Sequence, residues 1–147
     1  MKTILMIGLF LCSTISALSQ CDQSTVSKTT VGRFIQANSK QADIPFEATI
    51  TITKEKIILK GNIAGQTLNI TNTIQSIITC EWKEYLKTGQ SVYKVVTDKG
   101  NGTSENGIIR ITGKDGKTTI LFSSDTDNSD GLELDIKETV TNLENKK

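Results

Sequence analysis

The strongest constraint in this chain is a recurring period-two alternation of apolar and polar side chains. Ala48, Ile50 and Ile52 alternate with Glu47, Thr49, Thr51 and Thr53. Leu68 and Ile70 alternate with Thr67, Asn69 and Thr71, and Ile109 and Ile111 with Arg110 and Thr112. Leu132, Leu134 and Ile136 alternate with Glu133, Asp135 and Lys137. Successive side chains of a strand point to opposite faces, so each run describes a strand with one dry face and one wet face. A sheet wetted on one side is antiparallel, because parallel sheets are buried on both sides.

Turn chemistry falls between the runs. Lys54-Glu55 joins two of them as a short hairpin, and Lys114-Asp115-Gly116-Lys117 is the sharpest turn. Asp-Gly suits a type I′ hairpin, whose two central residues need positive φ. The spacing predicts eight or nine strands, near 29–37, 47–53, 56–62, 66–72, 76–85, 91–97, 107–113, 117–123 and 131–137. Short connections make sequence neighbours pair in space. Such a meander hides its edges by closing into an up-and-down barrel or by folding into a two-sheet β-sandwich. Ile136, Val140 and Leu143 have helical spacing, consistent with a short C-terminal helix, against which stands fraying of the terminus.

The N-terminus carries a different signal. Lys2 precedes the apolar run Ile4–Cys12, followed by a small, polar stretch ending in Ala17-Leu18-Ser19. A charged start, an apolar segment too short for a stable membrane span and a small-x-small site define a secretory signal. The expected organisation is a signal peptide over 1–19 and a single all-β domain over 20–147, secreted, periplasmic or extracellular. About 128 of the 147 residues then remain, enough for a substantial core.

Cys12 leaves with the signal, so Cys21 and Cys80 remain. In an exported domain they most simply form a disulfide. Leu18-Ser19-Gln20-Cys21 also resembles a bacterial lipoprotein signal, which would put a lipid anchor on Cys21 and make that lipid the only route to a membrane. Gln20 stands where that pattern wants a small residue.

Charge narrows the function. The chain has 17 Lys+Arg against 16 Asp+Glu. That balance gives no electrostatic reason to expect nucleic acid. It contains 0 His, which removes the commonest general base and the commonest transition-metal ligand. No Gly-x-Ser-x-Gly elbow, P-loop or Cys-x-x-Cys occurs. No cofactor is expected beyond one weak calcium candidate. Asp125, Asp127 and Asp130 stand in Asp125-Thr126-Asp127-Asn128-Ser129-Asp130-Gly131, where a tight loop could offer several oxygens to a hard cation. The Gly comes one residue late for an EF-hand-type loop, and a solvated acidic hairpin loop is the competing reading. Glu133 and Asp135 could close such a site, but the alternation turns both toward water. Asn69-Ile70-Thr71 and Asn101-Gly102-Thr103 match the N-glycosylation acceptor without settling the source. Trp82 shares a predicted face with Ile78 and Cys80, as a core residue beside the disulfide or as a pocket wall.

Gly32-Arg33-Phe34 lies near the start of the domain. With the meander that follows, it resembles the lipocalin-like, or calycin, group of exported proteins. These begin with Gly-x-Trp on the first barrel strand and continue through eight strands. Phe34 replaces the Trp, and no Arg near the C-terminus caps the barrel end. The resemblance implies an end-open barrel that binds a small hydrophobic molecule. Ile50, Ile52, Leu68, Ile70, Ile109, Ile111, Leu134 and Ile136 are its expected interior, and they would serve a filled core equally well. The leading expectation is an exported, non-catalytic binding module for a small apolar ligand. Its competitors are a protein-interaction domain for another envelope protein, acting as partner, inhibitor or adhesin, and an enzyme that works through carboxylates.

Overall fold

A computed structural model describes residues 20–63, 65–98, 102–126 and 129–141. The expected signal segment, 1–19, lies outside the described residues. The strands are β1 (Thr25–Gln36), β2 (Ser39–Lys40), β3 (Ile44–Ile52), β4 (Lys56–Ile63), β5 (Gln66–Glu84), β6 (Thr88–Asp98), β7 (Ser104–Lys114), β8 (Lys117–Ser124) and β9 (Gly131–Thr141). Every pairing is antiparallel between sequence neighbours, except that β2 pairs only with β1 and β1 pairs on with β3. β9 returns to β1, from Thr25 opposite Thr141 to Ile35 opposite Gly131. The sheet therefore closes into an eight-stranded up-and-down barrel with β2 as an extra strand, not into a two-sheet sandwich. Closure removes the unpaired edges that an open meander would present.

The inward positions are those the alternation marks. Ile50, Ile52, Ile109, Ile111 and Leu134 are fully buried, and Leu68, Ile70 and Ile136 pack against them. Phe46, Tyr93, Ile57, Leu59 and Ile120 complete the packed interior. Burial of side chains this large stabilises by roughly 1.5–3 kcal/mol each. Outward positions carry Thr, Lys and Arg, as at Lys28, Thr49, Lys60 and Arg110, so the outer wall is polar. Among the described residues, no helix is long and apolar enough to cross a membrane.

Three features depart from expectation. The predicted strands 66–72 and 76–85 are one strand of 19 residues, β5. Its register shifts between Ile74 and Ser76, between Ile77 and Thr79, and between Trp82 and Glu84. Each extra residue reverses the inward phase, so Ile77 packs inward and Ile78 turns out, 57% exposed, off the face of Cys80 and Trp82. The expected C-terminal helix is also corrected. Ile136 to Val140 continue β9 against β1, because pairing satisfies their backbone and closes the barrel; Leu143 lies outside the described residues. Finally, the β1–β2 turn places Ala37 at φ 49° and Asn38 at φ 62°. Ala37 rarely adopts that conformation, and here contacts with the β8–β9 connection hold it: Ala37 N donates to Asp130 Oδ1 at 2.8 Å and Asn38 N to Ser129 O at 3.0 Å. The predicted Asp115-Gly116 turn has φ 52° and 74°, as type I′ requires.

Candidate functional site

The two ends of the barrel differ. At one end the chain before β1 crosses the opening. Cys21 bonds to Cys80 on β5, with Cα atoms 6.2 Å apart, and Asp22 pairs with Lys54 in the β3–β4 turn at 3.8 Å. A sulfur bonded to Cys80 has no valence for a lipid thioether, so the two readings of Cys21 are mutually exclusive. Leu86 and Trp82 fill the same end. Trp82 meets Tyr85 edge-on at 5.5 Å, and Gly113 leaves room for its ring, because a Cβ there would stand 2.9 Å from Cζ3. Trp82 is thus a packing residue at the closed end. The hydroxyls of Tyr85 and Thr25, and of Tyr93 and Ser91, face one another there without reaching hydrogen-bond geometry. Burial pushes both tyrosine pKa values up, so both rings are neutral.

The other end is an open cup of about 370 Å³. Leu59, Ile70, Phe122 and Leu132 form its apolar wall, from β4, β5, β8 and β9. Asn72 and Thr97 add polarity that is already satisfied. Thr97 Oγ1 donates to Asn72 Oδ1 at 2.7 Å, and Asn72 Nδ2 to Ile57 O at 3.0 Å. The space exists because the inward positions at this level are small: Gly107 pairs with Ser124 across β7–β8 where lower levels place Ile109 against Phe122. The exposed lining surface is mostly apolar, with Asn106, Ser123 and Ser124 adding further polar groups, and the volume falls within the range of small-molecule sites. Glu105 and Asp130 stand at the rim. Phe34 sits 49% exposed beside it, in a shallow hollow that shares Asp130 and Gly131 with the cup.

The acidic candidates for calcium are engaged separately. Asp125 pairs with Lys94 at 3.2 Å, and Asp130 receives Ala37 N; Asp127 lies outside the described residues. Among the described residues, no three His, Cys, Asp or Glu side chains are grouped as metal ligands. Glu133 and Asp135 do share an outward face, yet Glu133 does not reach water as expected. Arg33 lies between them, with Nη1 at 2.7 Å from Glu133 Oε1 and Nη2 at 2.5 Å from Asp135 Oδ2. Arg33 Nε reaches Asp43 at 2.8 Å, and Lys40 Nζ reaches Glu133 at 2.7 Å. Arg33 and Glu133 are 14% and 11% exposed. This network pins the β1–β2 hairpin to the outer wall beside the cup, and sequence spacing did not reveal it because its members lie about 100 residues apart. Asn69 is exposed on β5, and Asn101 lies outside the described residues.

No protein-family model, curated protein or solved structure matches the chain.

Proposed function

We propose that this chain is an exported, non-catalytic binding module that takes a small apolar molecule into the cup. The carrying observation is the cup itself: an apolar-walled space at one end of a barrel whose other half is filled. Export is supported by the N-terminal signal pattern and by a disulfide, which persists in oxidising compartments. The lipocalin-like resemblance points the same way through its end-open barrel. An interaction module would call for a broad apolar patch or a long uncovered edge. Among the described residues the large exposed apolar side chains, Phe34, Ile78 and Val140, sit on different strands.

The test is binding of a neutral apolar fluorophore, N-phenyl-1-naphthylamine, to the wild type and to Ser124→Phe. Ser124 faces Gly107, so a ring at 124 enters the cup. The expected result is a saturable fluorescence rise in the wild type and at least about tenfold weaker binding in the variant, with Tm changed little. Equal binding by both proteins would refute the site.

A further inference from the structure

We infer that the ligand of this cup is an extended apolar chain longer than the cup itself, and that Phe34 receives the part that protrudes. The inference rests on the cup being a ligand site; it adds the length of the molecule and the side chain that selects it. Phe34 stands opposite Leu132 in the β1–β9 ladder, as Gly32 stands opposite Leu134. Residues opposite one another project from the same face of a sheet, and Leu132 belongs to the apolar wall of the cup. Phe34 is therefore on the inward face, yet it is 49% exposed. The other two large exposed apolar side chains among the described residues point away. Ile78 turns out at the bulge of β5, and Val140 pairs with Val26, whose neighbours Thr25 and Ser27 are the buried, inward ones. A single exposed apolar group on an outer wall needs no explanation. Phe34 differs, because it shares a face with the core and adjoins an apolar space.

The backbone that carries Phe34 is held on both sides. Phe34 O accepts from Gln41 N at 2.9 Å. Arg33, just before it, is bound on the outer wall to Asp43, Glu133 and Asp135. Ile35, just after it, pairs with Lys40 on one side and Gly131 on the other. The turn beyond is tied to the β8–β9 connection through Ala37 N and Asn38 N. The ring's strand is set before any ligand arrives, which lowers the ordering cost of binding. The hollow that Phe34 lines adjoins the cup at Asp130 and Gly131, so a chain leaving the cup there passes onto an apolar surface rather than straight into water.

The cup's volume of about 370 Å³ sets the length at which this begins to matter. At roughly 30 Å³ per water-sized group, about ten carbons fill most of the cup. Further methylenes gain contact only against Phe34. The probes are hexan-1-ol, octan-1-ol, decan-1-ol and dodecan-1-ol, each below its solubility limit, displacing N-phenyl-1-naphthylamine from the full mature protein. Each buried methylene strengthens binding about fourfold. In the wild type this increment should persist from decan-1-ol to dodecan-1-ol, about tenfold for the two methylenes. In Phe34→Ala, octan-1-ol should bind as in the wild type, and dodecan-1-ol should gain no more than about twofold over decan-1-ol. Phe34→Leu, which keeps an apolar surface, should restore most of the increment. Because Phe34 is half in water, Tm should change little in either variant. A wild-type plateau at decan-1-ol, an equal dodecan-1-ol increment in wild type and Phe34→Ala, or a loss uniform across the series would overturn the role of Phe34 while octan-1-ol still reports the cup. If octan-1-ol also fails to bind, the cup reading falls, and the length selection with it.

Discussion

Arg33 shows how much one residue organises outside the core. Its guanidinium presents a planar fork of donors, and three carboxylates accept from it. A partly buried Glu133 would be costly with no cation beside it, so the Arg is what allows a carboxylate there. Arg33→Gln leaves Glu133 with Lys40 alone. The expected cost is about 2 kcal/mol, below the full penalty of a buried pair because Asp43 and Asp135 reach solvent. Chemical denaturation of both proteins at pH 7 measures it. The pH dependence has a definite sign. The hydrogen bond from Arg33 holds the Asp135 carboxyl below its ordinary range, so the unfolded chain takes up its proton first as pH falls. This stabilisation is complete above the unfolded value, near pH 4, and disappears as pH drops through the lower folded value. The stability gap between wild type and Arg33→Gln should therefore narrow below about pH 4. A gap that stays constant down to pH 2 would show that Asp135 is not the linked group.

At the scale of elements, the N-terminal segment is a plug that one covalent bond fastens. Cys21 and Cys80 are 59 residues apart, and linking them restricts the unfolded chain. On the chain-entropy model that restriction amounts to about 4 kcal/mol. The Cys21→Ser, Cys80→Ser double variant should lose about 2–5 kcal/mol and keep its far-UV β spectrum, because the barrel ladder does not pass through the sulfurs. Loss of the β spectrum would mean that the plug is needed to close the barrel. Most strands are legible in the sequence because alternation is local: Ile50 and Ile52, or Ile109 and Ile111, declare their face without help from the rest of the molecule. β5 is not, because bulges at Gln75 and Ile78 reverse its phase, and only the curvature of the closed sheet calls for them. The β1–β2 hairpin is equally hidden. Ala37 is a poor residue for positive φ, and the groups that hold it there, Ser129 and Asp130, arrive from the far end of the chain. The cup was legible only in part. Its wall residue Ile70 is marked by alternation, but whether a barrel interior is filled or hollow depends on the summed volume of inward residues at one level. Gly107, Ser124, Asn72 and Thr97 come together around the cup only after four strands take their register.

For the whole molecule, this difference in filling predicts a gradient of stability along the barrel axis. The closed half holds Ile52, Tyr93, Ile111 and Ile120, all essentially without solvent contact. The open half replaces such packing with small inward residues and a solvent-facing cup. Backbone amides of the closed half should open only with global unfolding, while those near the rim open by local fluctuation. Hydrogen exchange resolved by residue should find Ile52 and Ile111 slowest, with Gly107, Ser124 and Leu132 exchanging orders of magnitude faster. A ligand that occupies the cup bonds mainly to the open half of the folded state. Saturating decan-1-ol, at about 100 times its Kd, should raise global stability by about 2.7 kcal/mol. Beyond that common increment, it should slow exchange at Gly107, Ser124 and Leu132 through the local openings it suppresses. Protection gained only at the closed half would place the ligand at the plugged end, among the hydroxyls of Tyr85 and Tyr93. Protection gained by the rim is what the proposed binding to the open half of the barrel requires.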